Sequence, residues 1–494
     1  MSSQVSSSPE KHVNDQWVYY GLLALLVWAP LPLGSNRTWA IGILLAMSVL
    51  LFAASINAWR QHFARARQRL ALFRWPLFLL LSMVLLSWLQ TLELPANLVE
   101  IISPQAAAIQ ARAQSMTLSL DLFQSKIMAS LATAYFLVFV VALLCLRNPE
   151  RLDRTAMVLV YSGVLQTVVG ALLFSIKADY RIFYVHVDHS RMIGTYVYHN
   201  SLAGYLCMCL SIGIGLMLAR LGQGQGPLRN WRAKVTAVVS FILSPTMRLR
   251  LLLVVMVIGL VLTRSRMGNS AFFAAMLIVG LAAIALARKT APRTIALITS
   301  LIVIDIFVVG AGVGLEKVIQ RIQDTEVMVA DEGRSESIEA RTEAARISLP
   351  IVQDYPMVGT GGGSFYNVFM SYRTPTYGYV YIDHTHNDFV EIATDYGLVG
   401  FAILGVLAAL TLATVLRVMA RRKSRVAWGI AFGVAMAIVG LFIHSTVDFN
   451  LQIPANALTI VVILAMGWVT PSLPRARLKR AKKAQEIEEK DELT

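Results

Sequence analysis

The chain alternates between long apolar runs and short polar connections that are mostly basic. The runs lie near 17–33, 38–57, 75–91, 127–146, 156–176, 197–219, 249–263, 269–287, 294–314, 397–419, 427–446 and 455–471. A helix needs roughly 20 apolar residues to cross the hydrocarbon of a bilayer, and the shorter runs gain a turn from their flanks. The pattern predicts an all-α, polytopic membrane protein of about 12 transmembrane helices. It divides the chain into a tail (1–16), nine helices (17–314), a large loop (315–396), three helices (397–471) and a charged tail (472–494). One stretch is ambiguous: over 235–263, Pro245 and the MRLR segment allow either a single crossing or a short interfacial helix followed by one.

Composition points the same way. Of 494 residues, 56% are hydrophobic and 15% charged, and the mean hydropathy is +0.61. A soluble chain carries nearer one quarter charged residues and could not cover itself with so few polar groups. The first sixteen residues, MSSQVSSSPEKHVNDQ, have no basic n-region and no small-residue cleavage site, and they read as a tail and not as a signal peptide. Cys145, Cys207 and Cys209 sit inside apolar runs without metal-ligand spacing, which predicts small buried hydrophobes.

The net charge of +15 changes meaning once it is mapped onto the runs. Thirty of the 44 Lys and Arg fall in 1–16, 58–74, 147–155, 220–250, 288–293, 417–426 and 472–494. All of these segments lie on one side if the helices alternate. The positive-inside rule then makes that side cytoplasmic, with both termini there and loop 315–396 on the outer face of the membrane. The positive excess is thus a topology signal and gives no reason to expect a nucleic-acid partner. The last residues, RARLKRAKKAQEIEEKDELT, read as a solvated charged helix, and the KDEL within them is not at the extreme end, where a retention signal must be.

Several outer-face residues have no topological explanation. Arg264 and Arg266, in LTRSRMGNS, oppose the charge bias at the bilayer boundary, either facing an anion or anchoring to lipid headgroups. In the large loop, Arg341 and Arg346 fall in a stretch of helix formers ahead of Pro356; arginine suits bidentate grip on phosphate, and a salt bridge to a neighbouring Glu is the alternative. GTGGGSF (359–365) lacks the Lys-Ser/Thr of a nucleotide loop and reads as a turn. DHTHND crowds Asp383, His384, His386, Asn387 and Asp388 together. It can bind a metal or place an imidazole beside a carboxylate as a general base, and the base reading ranks first because further metal ligands are not evident. Asn200 in YVYHNSLAGYL, and His444 with Asp448 in IHSTVDFN, are polar groups at other outer helix ends; Asp305 lies near mid-membrane. Paired broken helices of the transporter kind are not evident, which counts against a flippase or transporter.

The succession TRSRMG, then EARTEAARISLPIVQDYPMVGTGGGSF, then HTHNDFVEIATDYGLVG resembles the O-antigen ligase and polymerase superfamily. GTYVYHNSLAGYL and HSTVDFNLQIPANA resemble exopolysaccharide-locus members, and the likeness spans roughly residues 190–460. The resemblance implies a GT-C type membrane glycosyltransferase, metal-independent, inverting and without cofactor. It would take a glycan from undecaprenyl diphosphate and pass it to an acceptor sugar, either a growing exopolysaccharide or O-antigen (polymerase, favoured) or lipid A-core (ligase). It also implies contact with membrane lipids and leaves room for a chain-length regulator. By spacing, the implied catalytic residues are His386, Arg266 and Arg341. Arg264 and Arg346 compete for the diphosphate-binding roles, since the usual aromatic four residues after the loop arginine is here Ala345. His384, Asn387, Asp388, Asn200, His444 and Asp448 fall on the supporting or acceptor side.

Overall fold

The computed structural model describes residues 13–111, 116–176, 191–220, 244–286, 338–373, 382–421 and 424–473. Within them the chain is helical. The helices are α1 (Gln16–Trp28), α2 (Thr38–Trp59), α3 (Phe63–Ala71), α4 (Arg74–Leu89), α5 (Ala96–Ile102), α6 (Pro104–Gln110), α7 (Leu122–Cys145), α8 (Pro149–Ser175), α9 (His199–Arg220), α10 (Pro245–Leu262), α11 (Arg266–Leu286), α12 (Ile338–Asp354), α13 (Phe365–Tyr372), α14 (Asp388–Arg421), α15 (Arg425–His444) and α16 (Pro454–Val469). Among the described residues nine helical stretches are long and apolar enough to cross a membrane, and α1 and α4 are shorter apolar helices. Eleven of the twelve predicted runs therefore coincide with apolar helices, while run 294–314, with Asp305, lies outside the described residues. In the ambiguous 235–263 stretch, α10 starts with Pro245 in its first turn, where the missing N–H costs nothing.

The bundle is built around α9. Nearly every residue from Asn200 to Ala219 is buried, and α8, α10, α11, α15 and α16 surround it. Lipid is as apolar as leucine, so helices in a bilayer are held by close packing. Gly215 and Gly429 let α9 and α15 touch backbone to backbone: a Cβ on Gly215 would lie 2.2 Å from the Gly429 carbonyl oxygen. By contrast, α2 and α4 expose Leu50, Ile56, Phe78 and Leu85. Cys145, Cys207 and Cys209 are buried and unpaired, as the sequence predicts.

Hydrogen bonds tie predicted outer segments to one another at one end of the bundle. The Thr195 hydroxyl donates to the Pro30 carbonyl, Met192 N to Leu262 O, Ser119 N to Gln90 O, and Asp388 N to Ser445 O. At the other end the predicted inner segments meet. Asp15, fully buried, binds Arg147 (2.5 Å) and Arg151 (2.7 Å), Arg220 binds Asp153 (2.6 Å), and Arg69 caps the carbonyls of Leu143 and Leu146. A second, small core joins α5 and α6 to α12 and α13 through Val99, Ala106, Ala344, Ile351, Phe365 and Phe369. The described loop residues 338–373 thus pack against 92–111 and 116–121 as a cap on that end of the bundle.

Candidate active site

The predicted loop helix exists as α12, carrying both Arg341 and Arg346, and it ends at Asp354, just ahead of Pro356. The two arginines diverge. Arg346 is 76% exposed and pairs with Glu343 one turn away (3.4 Å), which is the salt-bridge alternative for that residue. Arg341 turns inward at 11% exposure; its Nη1 donates to the Val447 carbonyl (3.1 Å) and reaches Asp448 Oδ2 (3.4 Å). Its Nε is buried with no hydrogen-bond partner among the described residues. One guanidinium nitrogen is therefore committed to the protein, and the Nε–Nη2 edge, the fork that matches two phosphate oxygens, is not.

The glycine stretch makes a packed corner. Gly359 N donates to Tyr355 O, Thr360 N to Thr394 O, Gly361 N to Asp395 O, Gly362 N to Gln90 Oε1 and Gly363 N to Asp395 Oδ2 (2.7 Å). With these amides spent on protein acceptors, the loop does not cradle a phosphate. Gly359 has φ +70° and lies so close to α14 that a Cβ would be 2.4 Å from the Asp395 carbonyl carbon. This corner clamps the large loop to the start of α14.

That helix begins at Asp388, well before the apolar run at 397, with a kink at Gly397. Asn387 explains the early start: its side-chain oxygen accepts from Phe389 N and Val390 N as an N-cap, and its amide donates to Thr446 O. Asp388 is fully buried, accepting from the Ser445 hydroxyl (2.5 Å) and Leu451 N (3.1 Å). Asn387 and Asp388 thus fasten the 382–388 turn to the 445–451 turn. Their side chains are occupied.

The two imidazoles have different surroundings. His384 Nδ1 is 2.6 Å from Glu391 Oε1, and its ring stacks on Phe449 (4.2 Å between centroids). Burial disfavours its charge, but the Glu391 carboxylate outweighs burial, with help from Asp383 and Asp395, and raises its pKa to about 9. His386, at φ +54°, meets Phe449 edge-on (5.1 Å), and its Nδ1 is buried without a partner among the described residues. Burial, then the charge of Arg341, lowers its pKa below the usual 6.5. His386 is accordingly neutral at pH 7 and His384 is charged.

His444 is fully buried, and its Nε2 lies 3.5 Å from Asp448 Oδ2, too far for a hydrogen bond. Burial works to raise the pKa of Asp448, and His444 and Arg341 beside it outweigh that and hold the carboxyl below its ordinary range. His444 also touches the α10–α11 turn, since a Cβ on Gly268 would sit 3.3 Å from its Cε1. In that turn Arg264 takes φ +53°, the Ser265 hydroxyl accepts from Gly268 N, and Asn269 staples Leu260 O and Ser265 O. Arg264 and Arg266 are both exposed, with no ion pair among the described residues. Asn200, 7% exposed, starts α9 nearby.

Arg341 and His444 thus both lie beside Asp448, His444 next to Gly268 at the start of α11, and His384 and His386 both pack on Phe449, the residue after Asp448. Sequence reading missed Glu391 and Phe449: inside FVEIATDYG and STVDFN they look like ordinary helix and loop residues, and only the fold brings them to the histidines.

No curated protein matches this chain. Residues 251–405 match a family model described as O-antigen ligase. The matched stretch runs from within α10 to the middle of α14 and so includes Arg264, Arg266, Arg341, His384 and His386. Over that stretch the chain is similar to the O-antigen ligase family, which supports the resemblance to the O-antigen ligase and polymerase superfamily.

Proposed function

We propose that this protein moves a glycan from a polyprenyl diphosphate, undecaprenyl diphosphate in a bacterium, to an acceptor sugar at the periplasmic face of the inner membrane. The Nε of Arg341, buried without a hydrogen-bond partner among the described residues while Nη1 is held by Val447 O, is the observation that carries the reading, with His386 packed on Phe449 of the same 445–453 turn. The acceptor hydroxyl oxygen attacks the anomeric carbon as the bond to the diphosphate oxygen breaks, inverting that centre. His386 receives the hydroxyl proton, and the diphosphate leaves with its charge. Arg266, Arg264 and Arg341 meet that charge as preorganised donors, each worth on the order of 10²–10³ in rate; a positioned base adds about 10²–10⁴. No step requires a metal or cofactor.

Polymerisation of lipid-linked repeat units is favoured by the exopolysaccharide-like stretches around Asn200 and Asp448. Ligation to lipid A-core is the second reading, supported by the description of the matching family. Purified protein reconstituted with a defined undecaprenyl-diphosphate oligosaccharide tests both. Lengthened lipid-linked glycans without other acceptor mean polymerase, product only with lipid A-core means ligase, and an unconsumed donor under both conditions overturns the proposal.

A further inference from the structure

Glu391 is a carboxylate sealed in the outer end of the bundle, 2% exposed. Both of its oxygens are fixed: Oε1 against His384 Nδ1 at 2.6 Å, Oε2 by Thr385 N (3.0 Å) and the Thr385 hydroxyl (3.2 Å). A buried carboxylate is costly unless a cation compensates it, and His384 is the one basic group among the described residues paired with this one. The His384 ring cannot turn, because it is stacked at 20° on Phe449. Its side chain is 23% exposed where that of Glu391 is 3%, so the dyad is closed at Nδ1 and open toward solvent at the other edge. Nε2 has no hydrogen-bond partner among the described residues. The same Phe449 ring meets His386 edge-on, so the two imidazoles pack against one aromatic side chain.

We propose that His384 is a further anion-binding residue of this site, its Nε2–H donating to the diphosphate, and that Glu391 is the positioning residue that keeps it charged and aimed. The proposal rests on the reading of the site as a polyprenyl-diphosphate centre. It gives the two histidines separate tasks, one a fixed cation and one a proton acceptor, as expected where neighbouring groups have their pKa values pushed apart. The charged and titratable groups that act on His384 are Glu391 and Asp395 from α14 and Asp383 and His386 from its own turn, while Asp448 from the 445–453 turn and Arg341 from α12 act on the neighbouring His386. The Asp383 carboxylate is itself held by the Tyr198 hydroxyl of the segment leading into α9 (3.1 Å).

The test is binding of undecaprenyl diphosphate to the full-length protein in nanodiscs from pH 6 to 10, for wild type, Glu391→Gln, His384→Gln and Arg266→Ala, with histidine NMR titration of the first two. The lipid's own titration is common to all and cancels in the comparison. Wild-type affinity should fall about tenfold, the worth of one charge-assisted hydrogen bond, as pH rises through about 9. In Glu391→Gln the step, and the titration of His384, should move down toward the ordinary imidazole range, and His384→Gln should lack the step. If wild type binds, Arg266→Ala weakens it, and Glu391→Gln leaves the pH step in place, the dyad proposal alone is overturned. If wild type fails to bind at any pH, the diphosphate reading falls and takes this proposal with it.

Discussion

Replacing Arg341 by lysine isolates geometry from charge. Arg341 holds Val447 O at 3.1 Å and Asp448 Oδ2 at 3.4 Å through a single nitrogen, leaving its other edge for a ligand. Lysine has one nitrogen and can satisfy either the protein or the ligand, not both. Its charge still neutralises Asp448, so the penalty of several kcal/mol for orphaning a buried ion does not arise. What is lost is one or two charge-assisted bonds, each about 1.5–3 kcal/mol. If these form fully only as the diphosphate departs, turnover falls by roughly 10²–10³. The assay is turnover of a fluorescent undecaprenyl-diphosphate oligosaccharide by purified Arg341→Lys protein, alongside its thermal unfolding. We expect a drop of that size at an unchanged Tm. Turnover within threefold of wild type would refute the assignment of the free guanidinium edge to the donor.

The pH dependence of turnover should show an acid limb below 6.5, because burial and then Arg341 lower the pKa of His386 and the base works only when neutral. Arg341→Gln should move that limb upward by the part Arg341 contributes; an unmoved limb would remove His386 from the role. Gly359→Ala should destabilise the protein by about 1–3 kcal/mol, since the added Cβ meets the α14 backbone at 2.4 Å in a left-handed conformation; an unchanged Tm would show that the corner gives way. Arg346→Cys should stay active, because among the described residues Arg346 pairs with Glu343 alone, at the surface. It should also react with a membrane-impermeant maleimide added from the periplasm, against a silent background from three buried native cysteines. Labelling from the cytoplasm alone would end the proposed topology.

The two levels of description divide along the range of the interactions involved. Hydropathy and charge act locally and against a fixed external reference, the bilayer, so the apolar runs and the shared side of Arg264, Arg266, Arg341 and His386 could be read directly from the sequence. Their grouping at one end of the bundle follows from alternation alone. Choosing between Arg341 and Arg346 could not be done that way: both lie on α12, and only packing against Ala344, Ile351 and the 445–451 turn decides which one faces inward. Likewise the roles of His384 and His386, two residues apart, are set by Glu391, Phe449 and Arg341, which come from α14, the 445–453 turn and α12. A pKa is set by whatever lies within a few ångströms, whatever the separation along the chain. The sequence by itself therefore determined the membrane class, the apolar helices and the gathering of the candidate residues at one end of the bundle, because those depend on solvent. The tertiary structure alone decided which nitrogen is occupied, which is left open, and which imidazole is charged, because those depend on neighbours that only folding supplies.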